Sequence, residues 1–381
     1  MFRIIILLLF ISQTVHAQEL IFNDNIYISN ASSINSENSE FSPSFFLGDL
    51  IFVRQSDSLS RATRSNHYDL FMAGLNLKNE LFSSAPLSST LNSQYHEGPG
   101  YFDKTTNTLY YSSIDPTDSL VGTKLPPNKL MASTLQNGSW SVPIQTDHNI
   151  QKTSSVHPCI SRDGVWLVFA SERNDGFGNM DLYMSIKSNA GWSDPVNLGG
   201  LINTEAAEVF PFIDEKLNLY FARKNDATGL DMYLSIFYKG HYLEPVKLPA
   251  PFNTDFDDFG ICINEKEGIA FFSSNRTNGL GQDDIYRIEY KDYLYKIEEP
   301  ASNLQVTVRD QKTKLPLSNA LINIRNLDGL ELSGIDPSLY KLNPVEIYDS
   351  IRTDKHGIAI IENPLETFLI EVLYPSKQSW N

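Results

Sequence analysis

One phrase returns five times along this chain, and such a repeat constrains the fold more than any single residue does. Its fullest copies are Ser171–Tyr183, with the letters SERNDGFGNMDLY, and Ser274–Tyr286, with the letters SNRTNGLGQDDIY. Arg223–Tyr233 is a shorter copy, and Arg54–Phe71 and Ser113–Met131 are more diverged. Successive copies are separated by about 50 to 60 residues. Repeats of this length, built of short strands, are typical of propellers and solenoids.

The phrase lies in a unit with a constant order of strand signals. An apolar innermost strand follows a proline or glycine at Pro43, Pro99, Pro158, Pro211 and Gly260. In the third unit the turn Ser161–Gly164 leads to a second strand, Val165–Ser171, and a glycine-rich connection leads to a third, Asp181–Ile186. A fourth strand begins at Trp192 and contains Pro195, which an edge strand tolerates because proline has no N–H to donate. Four antiparallel strands that end in an exposed edge are typical of a propeller blade.

The beginning of the chain predicts how the ring closes. The link from an outer strand to the next blade recurs at Ile34–Glu37, Ile202–Glu205 and Phe252–Asp255. Asn25–Ser29, just before the first link, therefore has the position of an outer strand without a blade in front of it. The fifth repeat, Asp255–Tyr290, lacks an outer strand, so we expect the N-terminal strand to complete it and cover the sheet edge. The sequence predicts an all-β, five-bladed propeller, or a six-bladed one if Tyr293–Ile297 begins another blade.

Residues 1–17 have the pattern of a secretory signal peptide. Arg3 precedes the apolar run Ile4–Ile11, and Val15-His16-Ala17 is a small-residue cleavage site. The apolar run is too short to cross a bilayer. We therefore expect a mature chain that has no membrane span and lies in the periplasm or at the outer membrane.

The charge balance excludes one class of partner. The chain carries 30 Lys and Arg against 46 Asp and Glu, a formal net charge of −16. Nucleic-acid binding needs a basic surface, so nucleic acid is a poor partner. The histidines are scattered without metal-ligand spacing, at His67, His96, His148, His157, His241 and His356. We expect neither a metal nor a cofactor.

The two cysteines, Cys159 and Cys262, occupy equivalent innermost strands of non-adjacent blades. An exported protein can form disulfides, but the blade separation disfavours one here. We expect both cysteines to be buried free thiols.

A charge pair recurs within the repeats at a spacing of eight residues. The pairs are Arg173 with Asp181, Arg223 with Asp231 and Arg276 with Asp284. In the second blade the signs are exchanged, as Asp115 and Lys129, and the first blade has Arg54 and Asp69 around a longer loop. Both members flank the connection between the second and third strands, which predicts a structural clamp across that hairpin. The alternative interpretation is a ligand-binding acid in each blade.

Two phrases carry a family resemblance. Phe169–Tyr183 and the turn Ser161–Gly164 resemble the WD40-like repeat of the TolB type, often called PD40. The resemblance implies a PD40-like β-propeller over residues 18–300. Residues 301–381 look like a carboxypeptidase regulatory-like domain, a small β-sandwich without a catalytic group, on the basis of Leu304–Ile324 and Thr353–Gly357.

This order of domains is similar to the OmpA-family envelope proteins of Bacteroidota, which include a component of the type IX secretion and gliding machinery. Those proteins carry an OmpA-like domain that binds peptidoglycan. The sequence shows no such domain, so peptidoglycan binding does not carry over. The sequence stops soon after the expected strand Phe368–Leu373, and the sandwich is therefore expected to lack its last strand. The resemblance implies an envelope protein as partner, such as an outer-membrane barrel.

The favoured function is a non-enzymatic extracytoplasmic scaffold or adaptor that binds another envelope protein. Inserted loops on a rigid scaffold commonly carry binding. The candidate docking residues are Arg54, Arg61, Arg64 and His67 in the first blade and Pro126 and Pro127 in the second.

The alternative is a propeller glycoside hydrolase or carbohydrate-binding protein with carboxylates in the central channel. Glu97, Glu208 and Asp258 begin innermost strands and are the candidates. Glu40 occupies the same place in the first blade, so these acids resemble a repeat feature more than a catalytic pair.

Overall fold

A computed structural model describes residues 19–23, 25–59, 66–114, 126–238, 240–298, 303–308, 315–326, 347–355, 358–362 and 368–373. Their secondary structure is entirely β. The chain divides into two compact units, one of residues 22–294 and one of residues 295–381 together with the residues up to 21. The signal-peptide prediction lies outside the described residues. None of the described residues forms a helix long and apolar enough to cross a membrane.

The strands follow the predicted units. Two short strands come first, β1 (Glu19–Phe22) and β2 (Ile26–Asn30). The first blade contains β3 (Glu40–Phe46), β4 (Asp49–Leu59), β5 (Asn66–Leu75) and β6 (Leu81–Pro86). The second contains β7 (Glu97–Asp103), β8 (Thr108–Ser113), β9 (Lys129–Gln136), β10 (Ser139–Trp140) and β11 (Ile144–Gln145). The third contains β12 (Ser155–Ile160), β13 (Trp166–Ser171), β14 (Asp181–Ser188), β15 (Gly191–Trp192) and β16 (Val196–Asn197).

The remaining strands continue in the same order. The fourth blade contains β17 (Glu208–Ile213), β18 (Leu219–Asn225), β19 (Gly229–Ser235), β20 (Phe237–Tyr238), β21 (His241–Tyr242) and β22 (Val246–Lys247). The fifth contains β23 (Asp258–Asn264), β24 (Ile269–Ser274) and β25 (Asp284–Tyr290). The second unit contributes β26 (Tyr295–Glu298), β27 (Asn303–Thr307), β28 (Leu321–Asn326), β29 (Ile347–Arg352), β30 (Ile358–Glu362) and β31 (Phe368–Leu373).

The N-terminal strand closes the ring, as the sequence predicts. The sheet of the fifth blade has the order β2-β25-β24-β23, with β2 on the outside. Ile26 lies opposite Tyr290 and Asn30 opposite Tyr286. The predicted five-bladed, all-β propeller is confirmed. Tyr293–Ile297 does not begin a sixth blade, because β26 pairs with β1 in a separate two-stranded sheet.

The core lies between neighbouring blades. The second strands β8 and β24 are buried at every position, because each is covered on both faces. Between the first and second blades Phe46, Phe102 and Tyr111 pack in one apolar cluster. Fully burying one such aromatic side chain stabilises a fold by roughly 1.5 to 3 kcal/mol. Both cysteines are free and buried, which confirms their prediction.

The second unit is a set of antiparallel strands. β27 pairs with β30, and β28 lies between β29 and β31. The resemblance of this unit to a carboxypeptidase regulatory-like domain stays a prediction.

Candidate functional site

The repeated arginines bind a different acid from the predicted one. Arg223 Nε donates to Glu208 Oε1 at 2.8 Å, although Asp231 lies directly opposite Arg223 in the sheet. The same guanidinium lies over the rings of Phe221 and Tyr233. Arg54 binds Glu40 and Arg276 binds Asp258 in the equivalent way. The hairpin clamp is therefore wrong for these arginines, because each side chain folds over the aromatic pair towards the innermost strand.

Arginines that share the eight-residue spacing do not share one position in the sheet. Arg223 itself faces the third-strand aspartate, whereas in the third blade Ser171 faces Asp181 and Arg173 comes two residues later. Arg173 nevertheless places its guanidinium over Phe169 and Tyr183, 5.5 and 5.0 Å from the ring centroids. A long side chain thus reaches one site from two backbone positions.

The third-strand aspartates stabilise the hairpin loops. Asp181 accepts hydrogen bonds from the backbone amides of Phe177 and Gly178 and from the Asn197 side chain. Asp284 does the same with the amides of Leu280 and Gly281 and with Asn30. A Cβ at Gly178 would lie 2.1 Å from the carbonyl oxygen of Ala206, so glycine is required there. These hydrogen bonds within the hairpin loops account for Asp181 and Asp284 without a ligand.

In the fourth and second blades the residue at this position has different hydrogen-bond partners. Asp231 Oδ2 accepts from Thr228 Oγ1 and Lys247 Nζ, at 2.7 and 2.8 Å. Lys129 is buried and donates from Nζ to the carbonyl oxygens of Ile150 and Thr153. Asp115 lies outside the described residues, so the exchanged pair stays a prediction.

The innermost-strand acids are enclosed in a repeated network. Glu40, Glu97, Glu208 and Asp258 are each 0% exposed. Each accepts hydrogen bonds from the amide and hydroxyl of a residue four positions earlier, which are Ser36, Ser93, Thr204 and Thr254. The third blade has Ser155 at this place. These contacts account for the acids as parts of the fold.

Glu97 differs from the other acids because no guanidinium of the described residues reaches it. Its additional partner is the Ser113 hydroxyl, at 3.1 Å. Burial raises the pKa of Glu97 to about 7, although hydrogen bonds from Ser93 oppose the shift. A carboxyl with such a pKa suits proton transfer, but this one has no exposed surface.

Each linker between blades contains an asparagine with the same contacts. The sequence pattern identifies three of these linkers but not the ones that contain Asn92 and Asn149. Asn203 accepts from the amide of Leu182 and donates to its carbonyl oxygen, which ties the linker to the third strand of the preceding blade. The equivalent residues are Asn35, Asn92, Asn149 and Asn253. Their signal is an asparagine five or six residues before each innermost-strand acid or its counterpart.

The axis of the ring is nearly closed. All five innermost strands have a register shift, and the cavity on the axis has a volume of about 30 Å³. Its lining includes Ser42, His157 and Phe210, which share a left-handed backbone with φ of 51°, 54° and 52°. A cavity of this size holds roughly one or two water molecules.

Six rings joined by five contacts form an open series around the axis where the innermost strands begin, and we call it the collar. Its members, in order around the axis, are His96, Tyr68, Phe41, Phe259, Phe210 and His157. The centroids of neighbouring rings are separated by 5.3, 5.3, 6.1, 4.7 and 3.8 Å in that order. Every blade contributes, and all members except Phe259 are half-buried. No local pattern predicts the collar, because its members lie at different offsets from the repeat phrase.

Titratable groups lie beside one side of the collar. His67 Nε2 is 3.5 Å from Asp69 Oδ2, and His67 Nδ1 is buried with no hydrogen-bond partner in the part of the chain that the structure describes. Burial raises the pKa of Asp69. Burial also raises the pKa of Asp283, and this carboxyl in turn contributes to the raised pKa of Tyr68. Burial, then the neighbouring His67, lowers the pKa of His96.

His157 is neutral at the other side of the collar. Burial lowers its pKa to about 3. Its Nδ1 accepts a hydrogen bond from the Phe210 amide at 3.3 Å, which assigns the proton to Nε2.

The predicted docking residues are only partly brought together. Arg54 is bound to Glu40, and His67 lies beside the collar. Pro126 and Pro127 are half-buried just before β9. Arg61 and Arg64 lie outside the described residues.

An open groove of about 780 Å³ lies between the fourth and fifth blades. Its lining includes Lys247, Pro249, Pro251, Asp255 and Arg276. Two of these cations are already paired, Lys247 with Asp231 and Arg276 with Asp258.

Comparisons with known proteins assign no family. No family model matches the chain, and no curated protein matches it. Among solved structures, an α-L-arabinofuranosidase from Lactobacillus brevis has a TM-score of 0.44 and 12% identity, over 67% of this chain and 92% of that one. A glycosyl hydrolase from Bacteroides ovatus has a TM-score of 0.43 and 8% identity, over 74% and 96%. A putative TolB from Agrobacterium tumefaciens has a TM-score of 0.38 and 10% identity, over 78% and 86%. The strand topology, and none of these distant likenesses, establishes the propeller.

Proposed function

We propose that this protein is a non-enzymatic extracytoplasmic adaptor that binds another cell-envelope protein through the collar end of the ring. The observation that carries the proposal is the state of the innermost-strand acids. They are fully buried, and hydroxyls, amides and guanidinium groups occupy their oxygens. The acids therefore stabilise the fold, and the collar end of the ring is the surface that we assign to binding.

Two further features support a binding role. The axial cavity of about 30 Å³ is far smaller than the roughly 300 to 1,000 Å³ of a small-molecule site. The collar end also presents exposed apolar side chains at hairpin tips, Phe177 at 54% and Leu280 at 52% exposure. Association with type IX secretion or gliding machinery belongs to this proposal through the sequence resemblance alone.

Site-specific photo-cross-linking tests the adaptor function. A photoreactive residue at Phe177 marks the collar end, and one at Leu47, which is 55% exposed at the opposite end of the innermost strand, is the matched control. We expect cross-links to one envelope protein from position 177 and none from position 47. Equal labelling from both positions, or none from either, would contradict docking at the collar end.

A glycoside hydrolase or carbohydrate-binding protein is the second candidate. The observation that favours it is Glu97, whose pKa burial raises to about 7 and which no guanidinium of the described residues reaches. Screening of polysaccharides for hydrolysis separates the two functions, with Glu97→Gln and Glu208→Gln as a matched pair. Hydrolysis that disappears only in the Glu97→Gln protein would replace the adaptor proposal with an enzyme.

A further inference from the structure

We propose that the collar binds one cationic side chain, the guanidinium of an arginine or the ammonium of a lysine, carried by the protein partner. The inference deepens the proposed function and rests on it only in taking the ligand to be part of a protein.

The protein already shows what holds a guanidinium in this fold. Arg54 lies 4.6 Å from the ring centroid of Phe71 and binds Glu40, and Arg223 lies 4.7 Å from Tyr233 and binds Glu208. Each site therefore combines aromatic faces with a carboxylate. Cations are attracted to an aromatic face within about 6 Å, more strongly where water is excluded.

The collar repeats this combination without a cation among the described residues. Tyr68 and Phe41 meet at 83°, so their rings form a corner with two differently oriented faces. Both rings are half-buried. Asp69 follows Tyr68 in β5, so its side chain points to the opposite face of the strand, where it lies 3.5 Å from His67. Asp283 approaches the same tyrosine from the fifth blade.

The charges around this corner favour a positive occupant. Asp283 acts electrostatically on Tyr68, and Asp257 and Asp284 act on Asp283 in turn. The ring of His96 contacts that of Tyr68. Arg54, the nearest described arginine along the chain, is bound to Glu40. Burial raises the pKa of Asp283, and the neighbouring Asp257 and Asp284 raise it further. At Asp69 the neighbouring His67 opposes the effect of burial on the pKa. The net charge of −16 also attracts cations towards the protein.

The dimensions select a side chain as the occupant. Directly inside the collar the axis narrows to the cavity of about 30 Å³, which a polypeptide cannot thread. His67 Nδ1 is buried, on a side chain that is 11% exposed, and has no hydrogen-bond partner among the described residues. The long side chain of an arginine or a lysine can reach the corner of Tyr68 and Phe41 while the backbone of the partner stays at the surface.

Titration of the purified mature protein with short capped peptides tests the site. The probes are acetyl-Gly-Arg-Gly-amide, acetyl-Gly-Lys-Gly-amide and the neutral acetyl-Gly-Gln-Gly-amide, with binding followed by calorimetry or by ligand-observed NMR. We expect both cationic peptides to bind about tenfold more tightly than the neutral one, since a cation–π contact of ~1 to 2 kcal/mol corresponds to this factor. High salt should weaken the binding.

Variants locate the binding. We expect Tyr68→Leu and Asp283→Asn each to weaken the cationic peptides about tenfold, and the matched controls Tyr238→Leu and Asp255→Asn to have no effect. If Asp283→Asn does not fold by circular dichroism, Phe41→Leu, which removes the other ring of the corner, is the second test. Equal affinity for the three peptides, or unchanged affinity in the Tyr68→Leu protein, would overturn the inference.

Two other occupants give distinct results. If Arg61 or Arg64 of this chain fills the collar, the Arg61→Ala/Arg64→Ala protein will bind the cationic peptides better than wild type, and the inference fails. If a sugar fills the collar, the peptides will not bind but methyl glycosides will. Cross-linking from position 177 without any peptide binding would leave the adaptor function intact and remove only this inference.

Discussion

Four arginines show how single residues can serve one purpose from different backbone positions. Arg54, Arg173, Arg223 and Arg276 each place a guanidinium over two aromatic rings. Each also donates to a linker carbonyl oxygen, on Ile34, His148, Ile202 and Phe252 in that order. Three of them bind a buried acid, whereas the third blade has Ser155 in place of that acid. The ring interaction is thus constant and the ion pair is variable.

The difference between blades predicts different costs for the same substitution. Arg223→Met should lower the free energy of unfolding by about 3 kcal/mol or more, because Glu208 is left as a buried, uncompensated charge. Arg173→Met leaves no such charge and should cost about 1 to 2 kcal/mol. Urea unfolding of both variants measures the difference. Adding Glu208→Gln to Arg223→Met should recover most of the loss, and equal costs in the two blades would contradict the interpretation.

Glu97 should give the protein a characteristic pH dependence. Its pKa of about 7 in the folded protein exceeds the ordinary 4.5, so the folded state holds this proton more tightly than the unfolded chain does. The resulting stabilisation is complete below about pH 4.5 and is lost as the pH rises through 7. Wild type should therefore lose about 3 kcal/mol between pH 4.5 and 8 relative to Glu97→Gln. Denaturant titrations at both pH values check this, and parallel pH profiles would show that Glu97 is not the source.

At the scale of strands, the innermost element of each blade is shaped by its bulge. The register shift turns the chain towards the axis and leaves Ser42, His157, Phe210 and Gly260 in the left-handed region. The second blade has Pro99 at the equivalent place, where a left-handed backbone is closed to proline. Non-glycine residues in such conformations cost about 1 kcal/mol or more. The same bulged residues line the axial cavity of about 30 Å³, so the strained positions are the ones that narrow the axis of the ring.

Relief of the strain at one bulge should stabilise the protein. Ser42 has a φ of 51° and a buried hydroxyl that no described residue hydrogen-bonds, and the fifth blade already has Gly260 at this place. We expect Ser42→Gly to raise the free energy of unfolding by roughly 1 kcal/mol, because relieved strain and desolvation exceed the added chain entropy of glycine.

The reverse change provides the control for this bulge. Gly260→Ala should destabilise the protein by more than 1 kcal/mol, at a φ of 63° and with a new Cβ only 3.2 Å from Ser42 Oγ. Thermal melting of both variants decides the sign, and destabilisation by Ser42→Gly would refute the strain argument.

For the whole molecule, the decisive contact joins the two ends of the ring. All five residues of β2 lie opposite residues of β25. Asn30 adds a side-chain bond to Asp284, and Asn35 ties the following linker to Ile285. The ends are more than 250 residues apart in sequence, so this contact forms at a high cost in chain entropy.

Truncation tests the importance of the closure. A chain that begins at Asn23 keeps β2, whereas one that begins at Ala31 lacks it and exposes the edge of β25. We expect the shorter chain to melt at a lower temperature and to exchange the amides of β25 faster. A peptide of residues 25–31 should restore part of the loss and a scrambled peptide should not. Equal melting of the two truncated chains would show that β2 does not close the ring.

The number of blades and the mode of closure were already contained in the sequence. Hydrophobic alternation, turn residues and the spacing of the repeat are local properties, and each short strand finds its partner in the adjacent hairpin. The outer strand near Tyr27 has no blade in front of it and the fifth repeat has no outer strand. Each therefore predicts the other as its partner, although they are more than 250 residues apart. The burial of Cys159 and Cys262 follows from their place in an innermost strand.

The partners of the charged residues and the collar arose only on folding. A guanidinium at Arg223 has an acid on each side in the sheet, Glu208 and Asp231, and the choice depends on the rings beneath it and the linker carbonyl beyond it. The collar joins rings from five blades, such as Phe41 and Phe259, that are distant in sequence and have no common offset. Such contacts depend on the radius of the ring and the bulge of each strand, which no local pattern encodes.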